Sequence, residues 1–462
     1  MPISKVLIAN RGEIACRVAR ACAAQGVQAV AVFTEVDAGA PHTTLAAEAH
    51  SLGPAPDAYL DAGRLLDIAQ RSGCQAVHPG YGFLSENAAF ARRVEAAGLA
   101  WIGPAPSSIE DMGDKQRART LASQAGVPVL PGSPRFDGDV PAELDSIAEA
   151  IGYPLLVKAA GGGGGIGMRR VERAADLRAA IRSTQDLALK AFGDATVYLE
   201  SEVQSARHVE VQVFGFGDGR AIHLFERDCS VQRRFQKVVE ESPAPQLPAA
   251  LRQAMCEAAV ALAQSQRYRG AGTVEFLYDV ARERFYFLEM NTRIQVEHPV
   301  TEMVTGHDLV RMQIALALGE PFADLTQAQV QPQGHAIECR LYAERPAKSF
   351  MPSTGTLTRF ALPEAAADYR VETGQREGGV VTHHYDPMLA KLIAWGPTRE
   401  AATQRLRDSL DRLVVDGVMT NAEFLQRILA HPAFADAALH TRFVDQHRSE
   451  LLAAAAAPNP QP

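Results

Sequence analysis

Nine consecutive residues, Glu289-Met290-Asn291-Thr292-Arg293-Ile294-Gln295-Val296-Glu297, alternate between charged or amide side chains and mostly apolar ones. Alternation has a period of two, so an extended backbone sends all five polar groups to one side. A solvated sheet face gives the same period, but such faces usually carry Lys, Thr and Ser. This row gathers two carboxylates, two amides and a guanidinium, which suits chemistry on a charged ligand. The run Phe285 to Met290 reads as the strand that leads into it. Glu289 and Asn291 are then neighbours on one face, suited to hold a divalent cation through oxygen. Glu275, between Val274 and Phe276 in the strand pattern Thr273 to Leu277, is a candidate second carboxylate for the same metal.

A chain of 462 residues suggests roughly three domains at ~150 residues each. Its opening reads strand, turn, helix, strand: an apolar run Lys5 to Ala9, then Ile14, Val18, Ala21 and Cys22 at helical spacing, then Val27 to Phe33. That order predicts an α/β layered unit with a parallel sheet, continuing through Ala76-Val77-His78 and Leu99 to Ile102 to about Gly113. The first turn has only Gly12 where a dinucleotide site needs GxGxxG, and no GxxxxGK[ST] loop occurs, which excludes both nucleotide motifs. A second unit begins near Ala125 and carries the strand Pro154 to Ala160. A third has the strands Val209 to Phe214, Thr273 to Leu277 and Phe285 to Met290, and closes with helices after Thr398 and Thr420. The divisions read are 1–113, 125–203 and 204–447, followed by a flexible tail, 448–462.

The net charge of -8 argues against nucleic acid or an anionic membrane as the main partner. There is no long apolar span, and Met1 to Asn10 lacks the layout of a secretory signal, so a cytoplasmic protein is expected. The six cysteines form no CxxC pair, which points to reduced buried thiols rather than zinc or disulfides. Lysine is scarce, seven against 39 arginines. Each retained lysine therefore asks what a compact point charge does that a planar fork cannot. Lys115, Lys158 and Lys237 all lie inside motifs.

Gly161 to Gly165 follow the strand that bears Lys158. Five glycines offer only backbone N–H donors, which can wrap phosphate oxygens, and Lys158 adds a charge for the same phosphates. A flexible linker is the plainer meaning, but no serine interleaves. The stretch Glu226 to Lys237 is densely polar and cationic, either a solvated loop or a local positive field for a small anion. His78 to Asn87 is rich in turn residues after a short strand, where α/β sheets put ligands; a helix start at Ser85 is the structural alternative.

Together these segments resemble the biotin carboxylases, the ATP-grasp subunits or domains of biotin-dependent acyl-CoA carboxylases. The likeness runs from Ile8-Ala9-Asn10-Arg11-Gly12-Glu13-Ile14-Ala15 to about His447. It rests on HPGYGFLSEN at 78–87, MGDK at 112–115, GGGGG at 161–165, RHVEVQV at 207–213, RDCSVQRR at 227–234, EMNTRIQVEHPVTE at 289–302 and HAIECR at 335–340. The resemblance implies a mixed α/β and α+β fold: a Rossmann-like N-terminal domain, a mobile glycine-rich lid and a C-terminal ATP-grasp domain, with ATP between the latter two.

It also implies roles. Lys115, Lys158 and the lid glycines Gly161, Gly162, Gly163, Gly164 and Gly165 would meet ATP phosphates, with Glu200 and Leu277 on the nucleotide and Glu275, Glu289 and Asn291 on Mg2+ or Mn2+. Lys237, Arg293, Gln295 and the backbone of Val296 would hold bicarbonate, and Glu297 would deprotonate it for attack on the γ-phosphate, giving carboxyphosphate. This releases CO2 and phosphate, the phosphate takes the proton of biotin N1, and Arg340 stabilises the ureido enolate. Tyr81, His208 and Gln232 would line the biotin pocket.

No Met-Lys dipeptide occurs, so biotin is expected on a separate carrier protein. Carboxyltransferase subunits and a second copy of the chain are the other expected partners. The segment His440 to His447 looks like the α subunits of acyl-CoA carboxylases, and leaves acetyl-, propionyl-, methylcrotonyl- and geranyl-CoA and pyruvate open as acceptors. Three residues depart from the family pattern: Ile166 where Arg or Lys is usual, Phe235 for His or Asn, and Ser201 for Lys. They motivate a contrasting reading, an ATP-binding regulatory paralogue without turnover. Another ATP-grasp ligase, joining an acyl phosphate to an amine, is disfavoured by Arg293, Gln295, Glu297 and Arg340.

Overall fold

The computed structural model describes residues 3–452 apart from 139, 161–166, 204 and 323. Strands β1 (Lys5–Ile8), β2 (Gln28–Thr34), β3 (Glu48–Gly53), β4 (Ala76–His78) and β5 (Ala100–Trp101) make a parallel sheet in the order β3-β2-β1-β4-β5. Val6, Leu7 and Ile8 have no solvent exposure, as expected where both faces of a parallel sheet are covered. Helix α1 (Gly12–Ala23) buries Ile14, Val18, Ala21 and Cys22. The order reverses between β1 and β4, and there Asn10 Nδ2 donates to the carbonyls of Pro79 and Tyr81, both at 2.7 Å. That contact fixes the loop of Tyr81. No helix starts at Ser85; the helix begins at Ala88, and the Asn87 side chain accepts from Phe90 N at its start.

A second, antiparallel sheet has three strands, β6 (Leu155–Ala159), β7 (Met168–Val171) and β8 (Val197–Ser201), in the order β7-β6-β8. Leu155 and Val157 pack with Leu177 and Ile181 of the helix Ala174–Phe192. Alternation therefore turns Lys158 to the opposite face. The glycine run and Ile166 lie outside the described residues, as does the tail beyond 452.

The largest sheet runs β9 (Ala206–Phe216), β10 (Ala221–Arg233), β11 (Gln236–Ser242), β12 (Arg269–Asp279), β13 (Arg284–Asn291) and β14 (His335–Tyr342), joined by Tyr369–Thr373 and Met388–Gly396. Its spatial order is β13-β12-β9-β10-β11-β14, then Met388–Gly396 and Tyr369–Thr373, antiparallel throughout. Val209, Val211, Val213, Val274 and Phe276 form one core with the helix Ala249–Ser265. The alternate residues His208, Glu210, Gln212 and Glu275 therefore face the other way, and they too are buried. A sheet with an apolar face and a polar but buried face is the frame of the site.

The alternating row does not continue as one strand. β13 ends at Asn291, and the chain turns through 292–297 into the helix His298–Thr305, with Glu297 at its N-cap and Pro299 in its first turn. Proline is favoured there because its fixed φ and missing N–H suit the start of a helix.

Candidate active site

The Lys237 ammonium, on β11, touches three carboxylates: Glu210 at 2.5 Å, Glu297 at 2.6 Å and Glu275 at 2.9 Å. Burial alone would favour neutral lysine, but these charges hold its pKa well above the usual range. Burial likewise opposes ionisation of Glu297, and Lys237, Arg340 and Arg227 overcome it, holding that carboxyl well below its ordinary value. Arg340, on β14, places Nε and Nη2 on Glu240 at 2.6 and 2.5 Å and Nη2 on Glu297 at 3.0 Å. Glu297 is thus an ionised carboxylate covered by two cations.

Around this hub the polar groups of the row converge although the backbone has turned. Arg293 donates to Gln295 Oε1 at 2.5 Å and to Asn291 Oδ1 at 2.7 Å. Asn291 Nδ2 and Gln295 Nε2 both donate to Glu275 Oε1 at 3.0 Å. The Val296 carbonyl accepts from Lys391 Nζ at 2.9 Å.

Glu275 and Glu289 stand directly opposite each other in the β12–β13 register, and like charges so placed repel. Burial and the Glu275 charge raise the pKa of Glu289. Two oxygen donors in a repulsive pair fit a hard divalent cation. Asn291 turns its oxygen to Arg293, so the carboxylate pair is the part of the expected ligand set already assembled. Glu210, not foreseen as a ligand, groups with His208 and Glu275, one donor atom of each lying within 4.8 Å of the others.

A cleft of about 900 Å³ separates this sheet from the three-stranded one. Lys115, Lys158, Glu200, His208, Gln232, Glu275, Leu277 and Glu289 all line it, together with Ser201 and Phe235. Lys158 is ion-paired with Glu200, which Arg119 also reaches at 3.3 Å, so a lysine and a glutamate assigned to different parts of ATP are here each other's partners. Tyr81 does not line the cleft that holds His208 and Gln232. Its hydroxyl donates to Glu13, which pairs at 3.1 Å with Lys391. Tyr81, Glu13 and Lys391 thus link the N-terminal sheet to the Val296 carbonyl. Lys391, completely buried, escaped the sequence reading although it is one of only seven lysines. Glu240 escaped it too, while Arg227 and Glu13 stood in segments it singled out but were given no role of their own; Glu210 had a signal, since it shares the alternation of His208 and Gln212.

Residues 2–109 match the family described as "Biotin carboxylase, N-terminal domain", residues 114–325 "Carbamoyl-phosphate synthase L chain, ATP binding domain", and residues 338–446 "Biotin carboxylase C-terminal domain". Biotin carboxylase 1 of Bacillus subtilis is 45% identical over 96% of this chain and 99% of its own length. The chain belongs to the biotin carboxylase family. It has the ATP-grasp fold and the Rossmann-like N-terminal unit expected of that family. The mitochondrial methylcrotonoyl-CoA carboxylase alpha chain of Oryza sativa subsp. japonica is 48% identical over 97% of this chain, which spans 61% of that relative's length. Among solved structures, the biotin carboxylase domain dimer of Hydrogenobacter thermophilus 2-oxoglutarate carboxylase, with MgADP, ADP and bicarbonate, matches with a TM-score of 0.91 and 43% identity over 98% of this chain and all of that one. The biotin carboxylase of Campylobacter jejuni in its β-γ-ATP complex gives 0.89 and 40% over 96% of this chain and 99% of that one. No helix among the described residues is long and apolar enough to cross a membrane.

Proposed function

We propose that this chain carboxylates biotin N1 on a separate carrier protein, using ATP and bicarbonate through carboxyphosphate. The observation that carries the reading is Glu297 held between Lys237 and Arg340. Bicarbonate is a weak nucleophile and needs a positioned base. While both cations cover Glu297 its basicity is low; an anion that draws Arg340 toward itself and shares the charge of Lys237, which stays in place, restores part of it, so base strength rises with substrate binding. Arg293 and Gln295 join Lys237 and the Val296 backbone in holding bicarbonate, and Glu297 takes its proton.

Lys115, Lys158 and the glycine run meet the phosphates, while Glu200 and Leu277 meet the nucleotide. Glu275, Glu289 and Asn291 would hold a divalent cation, which supplies charge neutralisation at the phosphoryl group. When biotin N1 gives its proton to phosphate, Arg340 faces the charge that develops on the ureido oxygen. His208 and Gln232 serve the biotin side, Tyr81 being held apart from them on Glu13, and water exclusion by the lid protects an unstable intermediate.

The partition 1–113, 125–203, 204–447, a homodimer, a cytoplasmic location and partnership with a biotin carrier and carboxyltransferase subunits belong to the same proposal. Six unpaired buried cysteines support a reducing compartment, and the dimeric Hydrogenobacter domain supports pairing. The acyl acceptor, and with it a place in fatty-acid metabolism, is set by the carboxyltransferase. Identities of 48% to the rice relative and 47% to a pyruvate carboxylase component of Methanothermobacter thermautotrophicus therefore select none.

The test is bicarbonate-dependent ATP hydrolysis with and without free biotin. Biotin stimulation is expected, and Glu297→Gln should lower turnover by about 10²-fold or more while ATP binding persists. Tight ATP binding without turnover in the parent protein would favour the regulatory reading, and undiminished turnover in the variant would remove Glu297 as the base.

A further inference from the structure

Strands β11 and β14 set Glu240 directly opposite Glu338, and neither has any solvent exposure. Side chains opposite one another in an antiparallel pair lie on the same face, with Cβ atoms about 4.5–5.5 Å apart. Two carboxyl groups so close in the interior do not both ionise. Their hydrogen bonds show how one is spared. Glu240 Oε1 takes both donors of Arg340, Glu240 Oε2 takes none, and neither oxygen of Glu338 has a partner.

None of the nearby cations meets Glu338. Lys391 Nζ lies on the Val296 carbonyl and Glu13, Lys237 on Glu210, Glu275 and Glu297, and Arg340 on Glu240 and Glu297. Glu297 is a further negative charge facing the pair. A single proton answers the arrangement, because a neutral Glu338 has an O–H to give and Glu240 Oε2 is a vacant acceptor. Burial raises Glu338 well above the carboxylate range and moves Glu240 up to about 7, in the sense this requires.

We propose that Glu338 is a carboxylic acid in the working protein, donating its proton to Glu240, and that the pair positions Arg340. Sharing its charge with that proton, Glu240 orients the guanidinium through two N–H groups yet holds it less tightly than a free carboxylate would. Arg340 can then turn from Glu240 and Glu297 to an anionic ligand. The role given to Arg340 rests on the proposed function; the buried proton does not.

Infrared difference spectra of the full chain and Glu338→Gln, at about pH 8 where ordinary carboxyls are ionised, test the proton directly. The full chain should show a protonated-acid C=O band that shifts in D2O and is missing from the variant. Lack of that band overturns the proposal. The kinetic arm compares Glu338→Gln, which keeps a neutral donor, with Glu338→Leu, which has none. Biotin-stimulated turnover should stay within about threefold in the first and fall by about tenfold or more in the second, with KM for ATP unchanged. A Gln variant as damaged as the Leu variant also overturns it. A parent protein that shows the band but no turnover would sink the functional reading and leave the proton in place.

Discussion

Lys237 and Lys158 are two of seven lysines in an arginine-rich chain, and the structure holds them in opposite ways. Lys237 meets carboxylates from β9, β12 and the turn at Glu297, so its position is fixed from three directions. Lys158 has Glu200 alone as its ion-pair partner among the described residues, shares it with Arg119, and faces the open cleft. A charge met from three sides is preorganised and moves little when a ligand arrives. One with a single partner must exchange that partner for a phosphate. On the proposed function, the chain keeps rigidity for the small anion and its base, and leaves the nucleotide side adjustable.

The largest effect should come from replacing each lysine. Lys237→Met strands Glu210, Glu275 and Glu297 without their ammonium, and uncompensated buried charge costs about 3–5 kcal/mol. Lys158→Met leaves Glu200 with Arg119 and should cost only about 1 kcal/mol. Denaturant titration of both variants checks this, and equal losses would break the comparison. Turnover should vanish in the first variant and survive, with weakened ATP binding, in the second.

Glu200→Gln sharpens the nucleotide side. It frees Lys158 from its partner but removes an acceptor aimed into the cleft. The expected result is a KM for ATP raised about three- to tenfold with kcat nearly constant, the signature of lost uniform binding. A parallel fall in kcat would show that the pair belongs to the rigid half after all.

The same contrast explains what could be read from the chain alone. The N-terminal unit announced itself because Lys5 to Ala9 and Val27 to Phe33 are apolar runs flanking a 3.6-period helix. β3, Glu48-Ala49-His50-Ser51-Leu52-Gly53, did not; it is an edge strand, half polar, with a burial pattern that fills only part of one face. At the site, the chemical types in Glu289 to Glu297 were legible but their path was not, since a strand followed by a turn displays the same alternation as a longer strand. Only Pro299 hinted at the helix start. Lys391, Glu13, Glu240 and Glu338 were illegible for a deeper reason. Their meaning comes from register between distant strands: Arg340 meets Glu240 across 100 residues of sequence, and no local pattern encodes that.

The smallest predicted effect lies where the two halves meet. β10 and β11 are joined at Arg234 and Phe235, both in the left-handed region with φ of 47° and 68°, and Phe235 is 62% exposed. A bulky residue is rarely found there, whereas Asn tolerates it. So little of the ring is buried that trading it for Asn gives up little packing. Phe235→Asn should therefore stabilise the fold by about 0.5–1 kcal/mol, read as a raised denaturation midpoint. Because Phe235 lines the cleft two residues from Lys237, the strain has a counterpart only if the ring serves the nucleotide. In that case KM for ATP rises in the more stable variant. If stability rises and KM stays put, the hairpin tip belongs with the rigid half, and the adjustable half ends at the three-stranded sheet.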